Sequence, residues 1–185
     1  MNLHFADMTP YQKFLIEKYG VNDDPSTSHK ELFFDIEIEM GEALTEEYIK
    51  SAPKKVTSVA WYDKSTNKWV ILILDAKSQI KHTKTKNREI IPFPTEKELL
   101  KQFIISFREI DPDIIVGWNS DYFDIPYLYY RIKNVLGQRA ATYLSPINIV
   151  RETPWFKDQY IQIAGVESLD YMRLHKKYSW ADEPS

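Results

Sequence analysis

The sharpest pattern in the chain lies at residues 32–40, LFFDIEIEM. Leu32, Phe34, Ile36, Ile38 and Met40 fall on one side of an extended chain, and Phe33, Asp35, Glu37 and Glu39 on the other, which predicts a strand. Two further strands are predicted at Val56–Tyr62 and Lys68–Leu74, and the polar DKSTN between them predicts a hairpin. Upstream, residues 9–19 predict a short helix with Thr9 as its cap and Pro10 at its first position. Residues 21–30 are a turn-rich connector. Residues 77–88, KSQIKHTKTKNR, carry Lys and Arg but no acid and predict a polar surface loop. The stretch PFPTEKELLKQFIISF then announces a helix. Thr95 and Glu98 have capping-box spacing, and Leu99, Leu100, Phe103, Ile104 and Phe107 keep one face apolar. DPD at 111–113 breaks the chain. IIVGW at 114–118 is apolar on both sides, as a central parallel strand requires. The loop NSDYFD leads into a helix over Pro126–Leu136, with Gly137 placed to end it. A looser segment, 138–160, precedes a short strand near Tyr160–Ile163 and a helix around Leu169–Lys177. Strand, hairpin, helix, strand, helix is the order of an α/β layered fold. Its mixed sheet is antiparallel first, then extended by a parallel crossover, with helices flanking it.

Composition narrows the class. The chain has 185 residues, 43% of them apolar and 14% aromatic, enough for one domain with a true core and too many for a disordered segment. Lys and Arg number 24 against 27 Asp and Glu, a net charge of −3, so any nucleic-acid binding runs through a local site rather than a basic coat. There is no cysteine, which excludes disulfides, thiolate zinc sites and thiol nucleophiles. No apolar run reaches the length of a membrane span, and the N-terminus lacks the apolar core of a signal peptide. The expectation is a soluble protein of the cytoplasm, with no membrane partner.

Asp35 and Glu37 leave the same face of their strand, about 7 Å apart at the backbone. Acids on a strand flanked by apolar residues are costly unless a cation offsets them. One reading is a hard-metal site for Mg²⁺ or Mn²⁺, which prefer carboxylate oxygen. The other is an amphipathic edge strand with a solvated acidic face. A second constellation follows the buried strand at 114–118: Asn119, Phe123 and Asp124 form N-x-x-x-F-D. Loops at the C-terminal ends of such strands are where α/β sheets place their sites. Asp124 also stands where a helix N-cap would, Phe123 where a core plug would, and Asn119 where a turn would close. D-x-E on a central strand followed by N-x-x-x-F-D after another is a far rarer combination than either alone.

At these residues the chain resembles the exonuclease domain of family B DNA polymerases, of the bacteriophage type. FFDIEIEM resembles the first exonuclease motif, D-x-E. DPDIIVGWNSDYFDIPYL resembles the second, N-x-x-x-F-D, with its G-W-N lead-in and F-D-x-P-Y-L exit. ATYLSPI and VESLDYMRLHKKYSW are similar to the segments that follow, and the resemblance covers roughly residues 15–180. It implies a ribonuclease-H-like fold and a 3′→5′ proofreading site that hydrolyses the primer's terminal phosphodiester with two divalent ions, Mg²⁺ or Mn²⁺. By position it implies Asp35, Glu37 and Asp124 as catalytic acids and metal ligands, and Asn119 and Phe123 as residues that shape the site and hold the DNA end. Beside the implied roles, Tyr122 has two readings: stacking on an unpaired base or packing against the next helix. The implied partners are a single-stranded primer 3′ end and the remaining domains of the polymerase.

The family's third motif, Y-x-x-x-D, is not satisfied at Tyr171, where the fifth residue is His175. The chain is therefore expected to be part of a larger polymerase. Residues 1–30 are read as an N-terminal segment or remnant of a preceding domain, and 31–185 as a partial exonuclease domain, weakly active or inactive alone. Asp170 is expected to be structural, and Glu39 solvated. His4, His29, His82 and His175 show no metal-ligand spacing. Lys81, Lys84, Lys86 and Arg88 fit either a solvated loop or phosphate contacts. Two further functions fit the same residues: a non-catalytic nucleic-acid-binding or scaffold unit of the polymerase, and a stand-alone exonuclease with the same acidic motifs.

Overall fold

The computed structural model describes residues 8–20, 28–40, 45–154 and 160–178. The chain opens with helix α1 (Pro10–Tyr19), whose Thr9 side chain accepts from the Gln12 N–H at 3.2 Å while Gln12 reaches back to the Thr9 N–H at 2.9 Å. That reciprocal cap is the one the sequence predicts. No α1 residue is buried, so local capping rather than packing defines the helix. Most of the connector read at 21–30 lies outside the described residues.

Strand β1 (Glu31–Ile38) is followed by the short helix α2 (Glu46–Ser51), then β2 (Val56–Asp63) and β3 (Lys68–Leu74). A two-residue strand β4 (Thr83–Lys84) and β5 (Arg88–Phe93) precede α3 (Glu96–Ile110), β6 (Ile114–Gly117), α4 (Asp124–Leu136) and α5 (Gln138–Thr142). Then come β7 (Val150–Glu152), β8 (Ile161–Ile163), β9 (Glu167–Asp170) and α6 (Tyr171–Tyr178). Seven strands form one sheet in the order β4-β5-β3-β2-β1-β6-β9, and β7 and β8 form a separate antiparallel pair. The pairs β1–β2 and β2–β3 are antiparallel, whereas β1–β6, β6–β9 and β3–β5 are parallel. The mixed α/β sheet predicted from the sequence is thus present.

Leu32, Phe34 and Ile36 of β1 are buried, as their alternation predicts, and pack with Val59, Trp61, Leu72 and the apolar stripes of α3 and α4 in one core. Trp61 meets Phe103 of α3 edge-on. The junction of the two helices is polar: Arg131 of α4 holds Glu96 of α3 through two bonds of 2.7 Å, and Glu96 also accepts the Val56 N–H at 2.8 Å. Both partners are nearly buried, so the fork satisfies charges that would otherwise be costly. Tyr127 donates its hydroxyl to the Lys54 carbonyl at 2.8 Å and pins α4 to the entry of β2.

Five expectations need correction. β1 ends at Ile38, and Met40 is 96% exposed rather than part of the core face. The segment read as a basic loop contains β4 and the start of β5. Pro92 and Phe93, read as the approach to a helix, belong to β5. β4 pairs only with Glu89 and Ile90, so Pro92 lies where no neighbour on that side asks for an N–H. Trp118 is exposed, because the buried strand stops at Gly117. The helix read from Leu169 begins at Tyr171, and Leu169 and Asp170 close β9 beside β6. Among the described residues no helix is long and apolar enough to cross a membrane.

Candidate active site

β1 outlasts its parallel neighbour. The ladder with β6 runs from Glu31↔Ile114 to Phe33↔Val116, whereas the ladder with β2 continues to Ile38, with an irregularity between Glu37 and Ile38. The second half of β1 therefore has an open side. The chain leaving β6 turns back to fill it. Gly117 makes this turn possible: a Cβ there would lie 2.6 Å from the Ser120 Cβ and 3.2 Å from the Phe34 carbonyl oxygen. Asn119 adopts φ +59°, a left-handed conformation that Asn tolerates better than most residues. Its carbonyl accepts the N–H groups of Tyr122 and Phe123.

The turn delivers Asp124 to β1. Asp124 is the first residue of α4 and is 3% exposed, and its Oδ1 accepts the Ile36 N–H at 3.1 Å. It does not cap its own helix; the cap position is Phe123, without a side-chain bond. The acid of the second constellation thus binds the backbone between the two acids of the first. Burial pushes the Asp124 carboxyl up to about 7, with the charges of Asp35 and Asp170 adding to the rise and the Ile36 N–H opposing it. Asp35 is also raised, by partial burial and then by the charge of Glu37. Asp35 and Glu37 are both exposed, and their surroundings still withdraw part of the solvent from Asp35. Alternation along a strand fixes which side a residue faces, not what covers that side.

Among the described residues no Lys, Arg or His pairs with Asp35, Glu37 or Asp124, and no three acids or histidines are gathered closely enough to hold an ion. The donor set nevertheless suits a hard dication: oxygen ligands only, mutually repelling, with no cation to offset them. Beside Asp35 the same sheet face carries an open cavity of about 470 Å³, with Phe33, Tyr62, Trp69, Trp118 and Tyr171 in its walls. Phe33, Tyr62 and Trp69 lie in cross-strand register on three neighbouring strands, with Tyr62 stacked on Trp69 at 4.6 Å between ring centres.

The other expected residues have defined places. Phe123 packs its ring against Tyr127, 5.5 Å between centres, and Tyr122 meets Tyr160 edge-on at 5.7 Å. Glu39 is exposed, near Lys55. His82, Lys68 and Lys84 converge on Glu89, whose carboxyl they hold down at about 2. Lys84 is thus committed to an ion pair within the chain. His4 lies outside the described residues. Asp121 carried no signal in the sequence beyond its place in the loop. It is buried and receives the Ser168 hydroxyl and the Arg173 guanidinium.

The comparisons agree with this architecture. The profile described as DNA polymerase family B, exonuclease domain, matches residues 11–183. The DNA-directed DNA polymerase of Escherichia phage RB69 is 40% identical over 99 residues, covering 51% of this chain and 11% of its own length. That of Enterobacteria phage T4 is 34% identical over 99 residues, with the same coverage. The DNA polymerase delta catalytic subunit of Glycine max is 47% identical over 47 residues, 25% of this chain and 4% of its own. The aligned part is thus a small share of each relative. With a match over nearly its whole length, and with both acidic motifs on the strand and helix start described above, this chain belongs to the exonuclease-domain family of the family B DNA polymerases.

Proposed function

We propose that this chain is the 3′→5′ proofreading exonuclease unit of a longer family B DNA polymerase, acting on the single-stranded 3′ end of a primer. The observation that carries the reading is the Asp124–Ile36 bond, which seats the acid of one motif between the two acids of the other. Asp35, Glu37 and Asp124 would hold Mg²⁺ or Mn²⁺. When bound, such ions supply an activated water and stabilise the departing 3′ oxygen. The chain's own part is to present three carboxylates whose repulsion a dication relieves, and to give up the proton that Asp124 retains near neutral pH. Asn119 and Phe123 shape the turn and hold the DNA end, and Tyr122, within the same turn, is a further contact for DNA. Residues 31–185 form the exonuclease part, and 1–30 a segment belonging to what precedes it. That no α1 residue is fully buried supports that division, although the family match already begins at residue 11.

A second reading has one observation in its favour. Among the described residues the acids do not close into a three-ligand site, which suits a unit that binds DNA or neighbouring domains without cutting. One experiment separates the two. A polymerase carrying this segment is given a labelled primer with a mispaired 3′ end and Mg²⁺. Asp35→Ala and Asp124→Ala are each expected to slow removal of the mispaired nucleotide at least about a hundredfold, with polymerisation retained. Unchanged removal in both variants would refute the proofreading reading. The 185-residue chain alone, with a single-stranded oligonucleotide and Mn²⁺, is expected to release few mononucleotides.

A further inference from the structure

We infer that Asp170 is the positioning residue of this site: its buried carboxylate gathers the backbone N–H groups of Asn119, Asp121 and Met172, and so fixes the turn that delivers Asp124 to Ile36. The inference rests on the functional reading above only in what the positioning serves. The contacts stand by themselves.

Asp170 ends β9, in register with Gly117 at the end of β6. It is 4% exposed. Its Oδ1 accepts the Asn119 N–H at 2.9 Å and the Met172 N–H at 2.9 Å, and its Oδ2 accepts the Asp121 N–H at 3.2 Å. Three amide donors at a sheet end, with no further strand among the described residues to receive them, need acceptors inside the protein. A carboxylate offers two oxygens and only acceptor sites, so one side chain serves all three. Asparagine in the same place offers one oxygen, and its NH₂ would face a donor. The loop answers in kind. Asp121, held by its N–H to Asp170, sends its own carboxylate back to Ser168 and Arg173. The corner at 168–173 and the turn at 119–124 are therefore tied in both directions.

From this anchor the turn is determined link by link. The Asn119 carbonyl takes the Tyr122 and Phe123 N–H groups, the Ser120 carbonyl takes the Ile125 N–H at 3.0 Å, and α4 then begins with Asp124 against β1. Asp170 touches neither of the strand acids by any hydrogen bond described. It acts through the turn, and its effect should appear at Ile36, on a different strand, before it appears in the β2–β3 ladder.

Amide hydrogen exchange on the whole chain tests this. In Asp170→Asn, exchange at the Ile36 amide should rise at least tenfold relative to the β2–β3 ladder amides. In an Asp124→Ala background, where the Ile36 N–H has lost its acceptor, the same substitution should add little at Ile36. An even rise across the sheet, or a full additional rise in the Asp124→Ala background, would overturn the inference, since either means general loosening. If Asp170→Asn does not fold, the wild-type chain decides. The amides of Asn119, Asp121 and Ile36 should open together through a denaturant series, and separate opening would refute the tie. Titration with Mn²⁺ gives the link to function. Asp170→Asn should weaken binding severalfold where Asp124 is intact, and not where it is Ala. If Asp35→Ala and Asp124→Ala leave Mn²⁺ binding untouched, the functional reading fails, while the exchange result still decides the positioning.

Discussion

Asp124 and Ile36 stand 88 residues apart in the chain and are joined by a 3.1 Å hydrogen bond from the strand's N–H to the helix residue's carboxylate. The bond satisfies a backbone donor on the side of β1 that β6 has vacated. It also places a buried acid near two others, and this is where fold stability and candidate chemistry oppose one another.

The first prediction follows from that opposition. The Asp124 carboxyl titrates near 3.8 when unconstrained and at about 7 in the fold, so between these values the folded chain binds more protons than the unfolded one. Stability must then fall as pH rises from about 4 to above 7, and return on acidification. A shift of this size corresponds to up to about 4 kcal/mol. Asp124→Asn keeps an oxygen for the Ile36 N–H and removes the charge. It should raise the melting temperature most at pH 8, less at pH 5 and hardly at all near pH 4, and flatten the profile between them. Melts across that range check this; a wild-type chain that gains stability from pH 5 to 8 would contradict it. Losing stability to hold a functional acid is a common trade at active sites.

Much of this was legible in the sequence. The alternation from Leu32 to Ile38 marks the buried side of β1, and the capped apolar stripe from Thr95 to Phe107 marks α3. Both patterns are long and strongly periodic. β5 and β9 were not legible for a physical reason. Arg88–Phe93 places a proline inside a short apolar run, and Glu167–Asp170 is mainly polar, because an edge strand beside the brief β6 needs little apolar surface. Asp35, Glu37 and Asp124 stand out in the sequence, but their surroundings do not. Two-residue spacing gives Asp35 and Glu37 a common face and says nothing of its exposure. The target of Asp124 is a backbone group on a distant strand, and the ties of Asp121 and Asp170 span about fifty residues. No local pattern encodes partners that only the assembled sheet brings together.

The second prediction concerns Gly117 and Ser120. A methyl group on Gly117 would lie 2.6 Å from the Ser120 Cβ, a distance that side chains do not tolerate without displacement. Gly117→Ala should cost about 1–3 kcal/mol, as overpacking in a close-packed site does. Removing the opposing Cβ should restore part of the loss, so Gly117→Ala combined with Ser120→Gly should be more stable than the sum of the single changes by about 1 kcal/mol or more. Some cost should remain, because the Phe34 carbonyl is also close. Strict additivity in denaturant titrations would show that the two residues do not meet.

The last prediction joins the acids to their ion. Asp35 and Asp124 both hold protons more tightly than free carboxyls do, Asp35 through burial and Glu37, Asp124 through burial and Asp35. A divalent cation needs them ionised, so binding must expel protons and must strengthen as pH rises through 7. Calorimetric titration with Mn²⁺ should therefore show weak binding, tighter at pH 8 than at pH 6. The apparent heat at pH 6.5 should change between two buffers of different ionisation enthalpy, because the released proton is taken up by the buffer. Asp124→Asn should abolish most of that buffer dependence, and Asp35→Ala should abolish the binding heat itself. Mn²⁺ heats identical in wild type and Asp35→Ala would remove the metal from this site. Binding without buffer dependence would show that Asp124 is already ionised at pH 6.5 and that burial does not raise its proton affinity to about 7.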